Sequence, residues 1–470
     1  MKIKAKGVYL DGRILKDYGL YVIGNYIKEI LPNSEIGNDP DTTSLDGFVY
    51  PAFIESHAHI GEIANTLGHI NGENMSFEDI VLTVSGRDVS FIFNVNFNKL
   101  TKEQFKYLFT LNKKIYMQSK DEHSTFVSKK FLKSASINYE LIDKDSLEFL
   151  NDEFIGIFKD SAINHVKHLK EIKIDDHILS QVEEYFLSRG IVTVTNFDFY
   201  MKDYLKDRII RVVQGIQKEY LDEAIKEGIK TGLGDNNFIY GPLKIFLDGS
   251  LGSQTAKMLN DFPFKGLLLM EELEFEEIVK RANENGIFVA VHAIGSEAVH
   301  IALRVFSKYK NLTCMNRIEH LQFIDPNDLF LLKETPFIPS MQPIHAKGDV
   351  ELYKKYMEGF HYAYAFNTVL NAKGFLIFGS DAPVEDASIF EGINASVKHP
   401  IIESESIPHN KALKAYTEWG GAYNYVPNRG SISKGKLADF VILKNEISED
   451  NLLTNEIVAV FRGGDIVWTK

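Results

Sequence analysis

Along the first 48 positions apolar and polar residues alternate between turn signals, as in KIKAKGVYLDGRILKDYGLYVIGNYIKEIL, with Asp11-Gly12 marking a hairpin turn. This pattern predicts a small antiparallel sheet. KLADFVIL, IVAVFRGG and DIVW near the C-terminus have the same texture, so residues 1–50 and 426–470 are expected to build one β-sandwich. Between them the texture changes, and short apolar, β-branched runs alternate with helical patterns, the signature of parallel βα units. After a first run ending near Ile60, the strands are predicted at 190–197, 208–216, 243–248, 287–293, 315–321, 335–342 and 373–381. Eight such strands close most simply into a (β/α)8 TIM barrel, here residues 51–425, with any active site at the C-terminal ends of the strands. About 130 residues separate the first strand from the second, far more than one crossover needs. Residues 61–185 are therefore expected to be an insertion, folded as a cap over the barrel mouth, with helical stretches such as KEQFKYLF and DDHILSQVEEYFLSRG. Its aromatic residues, Phe91, Phe93, Phe97, Phe105, Tyr107 and Phe109 among them, are expected to be mostly core.

The chemistry falls at strand ends. FVYPAFIESHAHI, from Phe48 to Ile60, reads as a buried strand that finishes in two histidines with Ala58 between them. Side chains alternate along a strand, so His57 and His59 share a face, an arrangement suited to one cation. An isolated pair of this kind also fits two satisfied polar histidines. His292 ends the fifth predicted strand, His320 the sixth and Asp381 the eighth, where Gly379 permits close approach and Pro383 ends the strand. All would converge with His57 and His59 at the mouth. Lys244 opens the fourth predicted strand and reaches the mouth only if that strand ends earlier. Imidazoles and a carboxylate form an N/O donor set suited to zinc, manganese, iron or nickel, whereas the single cysteine, Cys314, reads as an apolar strand thiol.

Composition narrows the classes. Hydrophobic residues make up 44% of the 470 and charged ones 25%, ordinary for a globular protein. A net charge of −13 without a basic run argues against nucleic acid. No stretch approaches the ~20 apolar residues of a membrane helix, one cysteine allows no intrachain disulfide, and the N-terminus lacks a signal-peptide pattern. The expectation is a cytoplasmic protein acting on a small molecule, without nucleic-acid or membrane partners. Assembly into a homo-oligomer is left open.

The motifs PAFIESHAH, LKIFLDGSLGSQTA, VAVHAIGSEAV, RIEHLQFI, SMQPIHAKGD, FGSDAPVE and GSISKGKLADFVIL cover nearly the whole chain. Together they resemble the amidohydrolase superfamily of metal-dependent hydrolases, in the branch that includes N-substituted formamide deformylases. The resemblance implies a binuclear site built from His57, His59, Lys244, His292, His320 and Asp381, with zinc as the first candidate metal. It also implies a CO2-derived carbamate on Lys244, which supplies anionic oxygens where an ammonium cannot ligate a cation. The plain alternative is a lysine paired with an acid such as Asp248, with a single metal. MQSKDEHSTFVS is similar to a family stretch that places a histidine, here His123, over the substrate, although a solvated loop histidine fits equally. His345 is expected to orient the carbonyl or bind the leaving group, while Asp349 reads as a solvated loop residue. Ser296 stands where the family often has aspartate, and Asn367 where arginine is common, so specificity is not carried over.

The implied reaction is hydrolysis of a C–N bond, of an amide or N-substituted formamide, by a metal-activated hydroxide with Asp381 as proton shuttle. Cleavage of a cyclic amide or ester, or deamination of a heterocycle, is the alternative, followed by a non-catalytic binding protein.

Overall fold

The computed structural model describes residues 1–119, 124–170, 174–198, 205–206, 208–259, 266–309 and 315–470. It forms two compact units, Met1–Glu62 with Glu183–Lys470, and Ile63–Val182.

In the first unit, eight parallel strands form one sheet: β1 (Phe53–Ala58), β2 (Ile191–Asn196), β3 (Arg211–Gln217), β4 (Phe238–Phe246), β5 (Val289–Ala293), β6 (Arg317–His320), β7 (Ile338–Met341) and β8 (Ile377–Phe378). Neighbours in sequence are neighbours in the sheet, and helices between them cover the outer face, which makes a (β/α)8 barrel. The ring closes where the site lies. Asp381 N donates to His57 O at 2.8 Å and His59 N to Ala382 O at 2.8 Å. Gly379 makes that approach possible, because a Cβ there would stand 2.6 Å from both His57 N and Glu55 Oε1.

The run beginning at Phe48 is not one strand. Phe48–Pro51 pairs with Phe440–Leu443 in the sandwich, and only from Phe53 does the chain belong to the barrel. The change of sheet takes one residue: Ala52 N bonds Asp439 O, while Phe53 N bonds Gly190 O. Both termini supply the sandwich, a four-stranded and a six-stranded sheet around Ile3, Val8, Leu20, Val49, Phe440 and Phe461. Asp11 and Gly12 adopt positive φ, 49° and 87°, in the hairpin between Gly7–Leu10 and Arg13–Lys16, as an Asp-Gly two-residue turn requires. The sheets are mixed rather than purely antiparallel, since Lys2–Lys4 runs parallel to Thr42–Ser44 and Gly7–Leu10 parallel to Phe48–Pro51. Strand-to-strand crossovers longer than a hairpin permit this. Asp439, next to the sandwich strand Phe440–Leu443, takes both Nε and an Nη of Arg211 at 2.7 and 2.9 Å, so a buried bidentate ion pair fastens β3 to that sheet.

The second unit is mixed α/β, where helical stretches alone stood out in the sequence. Its six-stranded sheet runs in the order Leu147–Leu150, Glu153–Lys159, Ser124–Val127, Lys114–Ser119, Val89–Val95, Ile70–Asn71. Phe77–Ser85 and Lys102–Thr110 each begin with a capping box, Ser76/Asp79 and Thr101/Gln104. Phe91, Phe105 and Phe109 are buried in its core, Phe93 and Phe97 pack against it, and Tyr107 is exposed.

Candidate metal centre

His57 is the fifth residue of β1 and His59 lies just beyond its end, so strand alternation aims both rings into the barrel. Their Nε2 atoms stand 3.3 and 3.0 Å from Asp381 Oδ1. Each ring is fixed from behind. His57 Nδ1 lies 2.7 Å from Glu319 Oε2, and His59 Nδ1 lies 2.9 Å from Asp198 Oδ1, whose other oxygen accepts Gly61 N and Glu62 N. Because a carboxylate only accepts, both Nδ1 atoms carry a proton, and both Nε2 atoms face Asp381; burial opposes protonation of His59, but Asp198 and Asp381 outweigh it and raise that imidazole to about 9.

His292 is the fourth residue of β5, and its ring centroid lies 4.3 Å from that of His320. Its Nε2 is 3.2 Å from Gly249 O, which leaves Nδ1 for the site. His320 reaches the site by another device. Alternation along β6 would turn it away once Arg317 and Glu319 face inward, but His320 and Leu321 adopt positive φ, 69° and 47°, so Glu319 and His320 both enter. Asp381 follows β8 in the same left-handed region, at φ 62°. Donor atoms of His57, His320 and Asp381 all lie within 4.8 Å of one another, close to the separations of about 3 to 4 Å set by ligands on a shared cation.

Lys244 is seventh of the nine residues of β4, near its C-terminal end, because the strand begins at Phe238 and ends at Phe246. Its Nζ lies 3.2 Å from His57 Nε2, and the rings of Phe197 and Phe246 lie 4.5 and 5.0 Å away. Asp248 is engaged elsewhere, accepting Ile294 N, Gly295 N and Lys257 N at 2.7–3.0 Å, so the lysine–Asp248 pairing is not formed.

The electrostatics suit a cation. Burial lowers Lys244 to about 8, although Glu319 and Asp381 oppose the shift. Burial and the Lys244 charge hold His292 down at about 3, and burial with the neighbouring His292 holds His320 well below its ordinary value, so both imidazoles keep a free lone pair at neutral pH. Among the described residues, His320 Nδ1 is buried without a hydrogen-bond partner. A buried imidazole nitrogen without a partner, on a ring set among two other histidines and an anion, is what a bound cation would satisfy. Burial pushes Asp381 up, but His57, His59 and His320 outweigh it and hold its carboxyl well below the usual range.

The profile of the amidohydrolase family matches residues 46–468. The chain belongs to the amidohydrolase family. Among relatives, the LONG AFTER FAR-RED 3 protein of Arabidopsis thaliana is 25% identical, over 97% of this chain and 86% of its own. The putative amidohydrolase YtcJ of Bacillus subtilis is 24% identical, over 99% and 96%. An uncharacterized metal-dependent hydrolase from Pyrococcus furiosus superposes with a TM-score of 0.80 at 23% identity, over 95% of this chain and 99% of its own. The corresponding Pyrococcus horikoshii structure gives 0.77 at 21%, over 96% and 99%. This amidohydrolase shares its fold with those two structures.

The six residues singled out in the sequence as ligands come together, and His345 joins them. It lies in the helix Pro343–Gly348 after β7, with Nε2 3.8 Å from Asp381 Oδ2 and its ring stacked 5.9 Å from that of His320. His123 and Cys314 lie outside the described residues. Asp349 is not a solvated loop residue: one oxygen accepts from Gln322 Nε2 at 3.0 Å and from Tyr364 OH, which ties down the helix carrying His345. Ser296 Oγ accepts Leu259 N, joining the loop after β4 to the helix after β5, and Asn367 Nδ2 donates to Ser404 O on the surface. Sequence reading passed over Glu319, Asp198 and Glu55. The signal for the first was available, since a charged pair at alternate positions of R-I-E-H sits badly in an apolar strand. Asp198 follows its strand in an ordinary turn and carried none.

Proposed function

We propose that this amidohydrolase cleaves a C–N bond, that of an amide or an N-substituted formamide, at a divalent metal centre held by His57, His59, Lys244, His292, His320 and Asp381. The observation that carries the proposal is the division of labour at Asp381. Its Oδ1 sits with the Nε2 atoms of His57 and His59, while Oδ2 faces His345. We assign Oδ1 to the metal and Oδ2 to the proton.

Divalent cations bound here would supply hydroxide near neutral pH and polarise the scissile carbonyl. Asp381 takes the proton as water adds to the carbonyl carbon. Its low proton affinity makes the protonated form a strong acid, which hands the proton to the departing nitrogen, so that an amine leaves rather than an amide anion. His345 orients the carbonyl or the leaving nitrogen, and His123 is proposed to act on the substrate from the insertion. Lys244 enters as a carbamate. Burial leaves a substantial neutral fraction near pH 8, and the neutral amine attacks the CO2 carbon and releases a proton. The resulting anion replaces an ammonium that would repel the metals. Zinc is the first candidate for both positions.

The test is a turnover screen of metal-loaded protein with N-formyl and N-acyl amines beside cyclic amides, esters and amino-heterocycles. Release of amine from the first group supports the proposal. Turnover confined to the other groups would reassign the scissile bond, and no turnover of any group at full metal loading would count against catalysis.

A further inference from the structure

The barrel interior beneath His57 is charged, where barrels of this kind are ordinarily filled by layered aliphatic side chains. Arg317 and Glu319, alternate residues of β6, are both fully buried. Glu319 divides its oxygens: Oε2 lies 2.7 Å from His57 Nδ1, and Oε1 accepts from Arg317 Nε at 2.7 Å. Both Nη groups are engaged as well. One Nη donates to Ser56 O at 2.8 Å and Ser340 Oγ at 3.0 Å, the other to Asn424 Oδ1 at 2.6 Å. Asn424 in turn donates to Ser56 Oγ and accepts from Thr195 Oγ1, both at 2.9 Å. The network thus spans β1, β2, β6 and β7 and ends on one imidazole.

A buried ion pair is weak evidence of stabilisation, because well-packed apolar residues do as well or better. What aliphatic packing cannot do is choose a tautomer. We propose that Glu319 is a positioning residue of the metal centre: it holds His57 as the Nδ1–H tautomer with Nε2 presented to the cation, and Arg317 locks the carboxylate in that orientation. Gln342 Nε2 also lies near His57 Nδ1, at 3.4 Å, but it is a donor and cannot accept the Nδ1 proton. The shorter contact to Glu319 sets the ring. The inference rests on the reading of His57 as a ligand.

Metal-free wild type, Glu319→Gln and Glu319→Asp are titrated with Zn2+ against a chromophoric chelator, and their Co2+ complexes are compared by visible absorption. Glu319→Gln keeps an acceptor but loses the charge. It is expected to bind Zn2+ about 10- to 100-fold more weakly, with a changed Co2+ spectrum. Glu319→Asp keeps the charge beside Arg317 but shortens the reach to His57, so it remains informative if the glutamine variant does not fold, and a loss of affinity is expected there too. Wild-type affinity and spectra in the folded variants would overturn the inference, even if their metal-free melting temperatures fall, because Glu319 would then merely neutralise Arg317. A wild type that takes up neither Zn2+ nor Co2+ would overturn the metal reading of the site, and this inference with it.

Discussion

Asp381→Asn separates proton transfer from folding and from metal binding better than any other single change. The residue sits at φ 62°, a region that β-branched and most other side chains avoid but that asparagine enters readily, whereas alanine would add roughly 1 kcal/mol of backbone cost. Its backbone bonds, N to His57 O at 2.8 Å and O from Val384 N at 2.9 Å, do not involve the side chain and survive. The side-chain oxygen facing His57 and His59 is retained as a neutral metal ligand, so most of the metal should stay. What disappears is the proton carrier at Oδ2, beside His345. A positioned acid–base group contributes about 10²–10⁴ in rate, which corresponds to about 2.7–5.4 kcal/mol of barrier. The expected result is a melting temperature close to wild type, near-normal metal content and kcat lowered by that factor on the best amide substrate. Elemental analysis, thermal melts and kcat are measured on the same preparation. Wild-type turnover at full metal occupancy would refute the shuttle, and metal lost in step with activity would reduce Asp381 to a ligand.

Lys244→Ala should lose one or both metals together with activity, and a short carboxylic acid such as acetate should restore part of each; full metal content and turnover in the variant would remove the ligand role. Because burial lowers Lys244 to about 8, metal uptake by the metal-free protein at fixed dissolved CO2 should be roughly 25-fold greater at pH 8.5 than at pH 6.5, following the neutral amine. Glu55, fully buried, is pushed up to about 8 by burial against the pull of the His57 and Ser380 amides. Between about 4.5 and 8 the unfolded carboxyl releases its proton while the folded one keeps it, so folding stability falls as pH rises through that window. Glu55→Gln lacks this titration. Its melting temperature relative to wild type should rise from pH 5 to pH 8, and a constant difference would refute the assignment.

Barrel strands were legible because both their faces are buried, which writes them as apolar, β-branched runs. Lys244 was misregistered because Gly241-Pro242 looks like a strand breaker. The strand runs through it, and a bulge in the pairing with β3, between Gln214 and Ile216, absorbs the missing N–H. Alternation explains His57 and His59 but not His320, whose entry depends on two left-handed residues that no pattern announces. The sheet of the inserted unit was missed because strands such as KIYMQS and STFV are short and mix polar with apolar positions. The acids behind the histidines came last, since sequence gives no distance between Glu319 and His57, 262 positions apart.

Anomalous diffraction from protein expressed with ample zinc tests whether these six side chains bind metal. Two anomalous peaks are expected at the barrel mouth, about 2.0–2.2 Å from the donor atoms that His57, His59, His292, His320 and Asp381 divide between them, with continuous density from Lys244 showing its carboxylation. A single peak with an unmodified lysine would make the centre mononuclear. A well-ordered mouth with no anomalous peak in metal-replete protein would show that these side chains do not form a metal site.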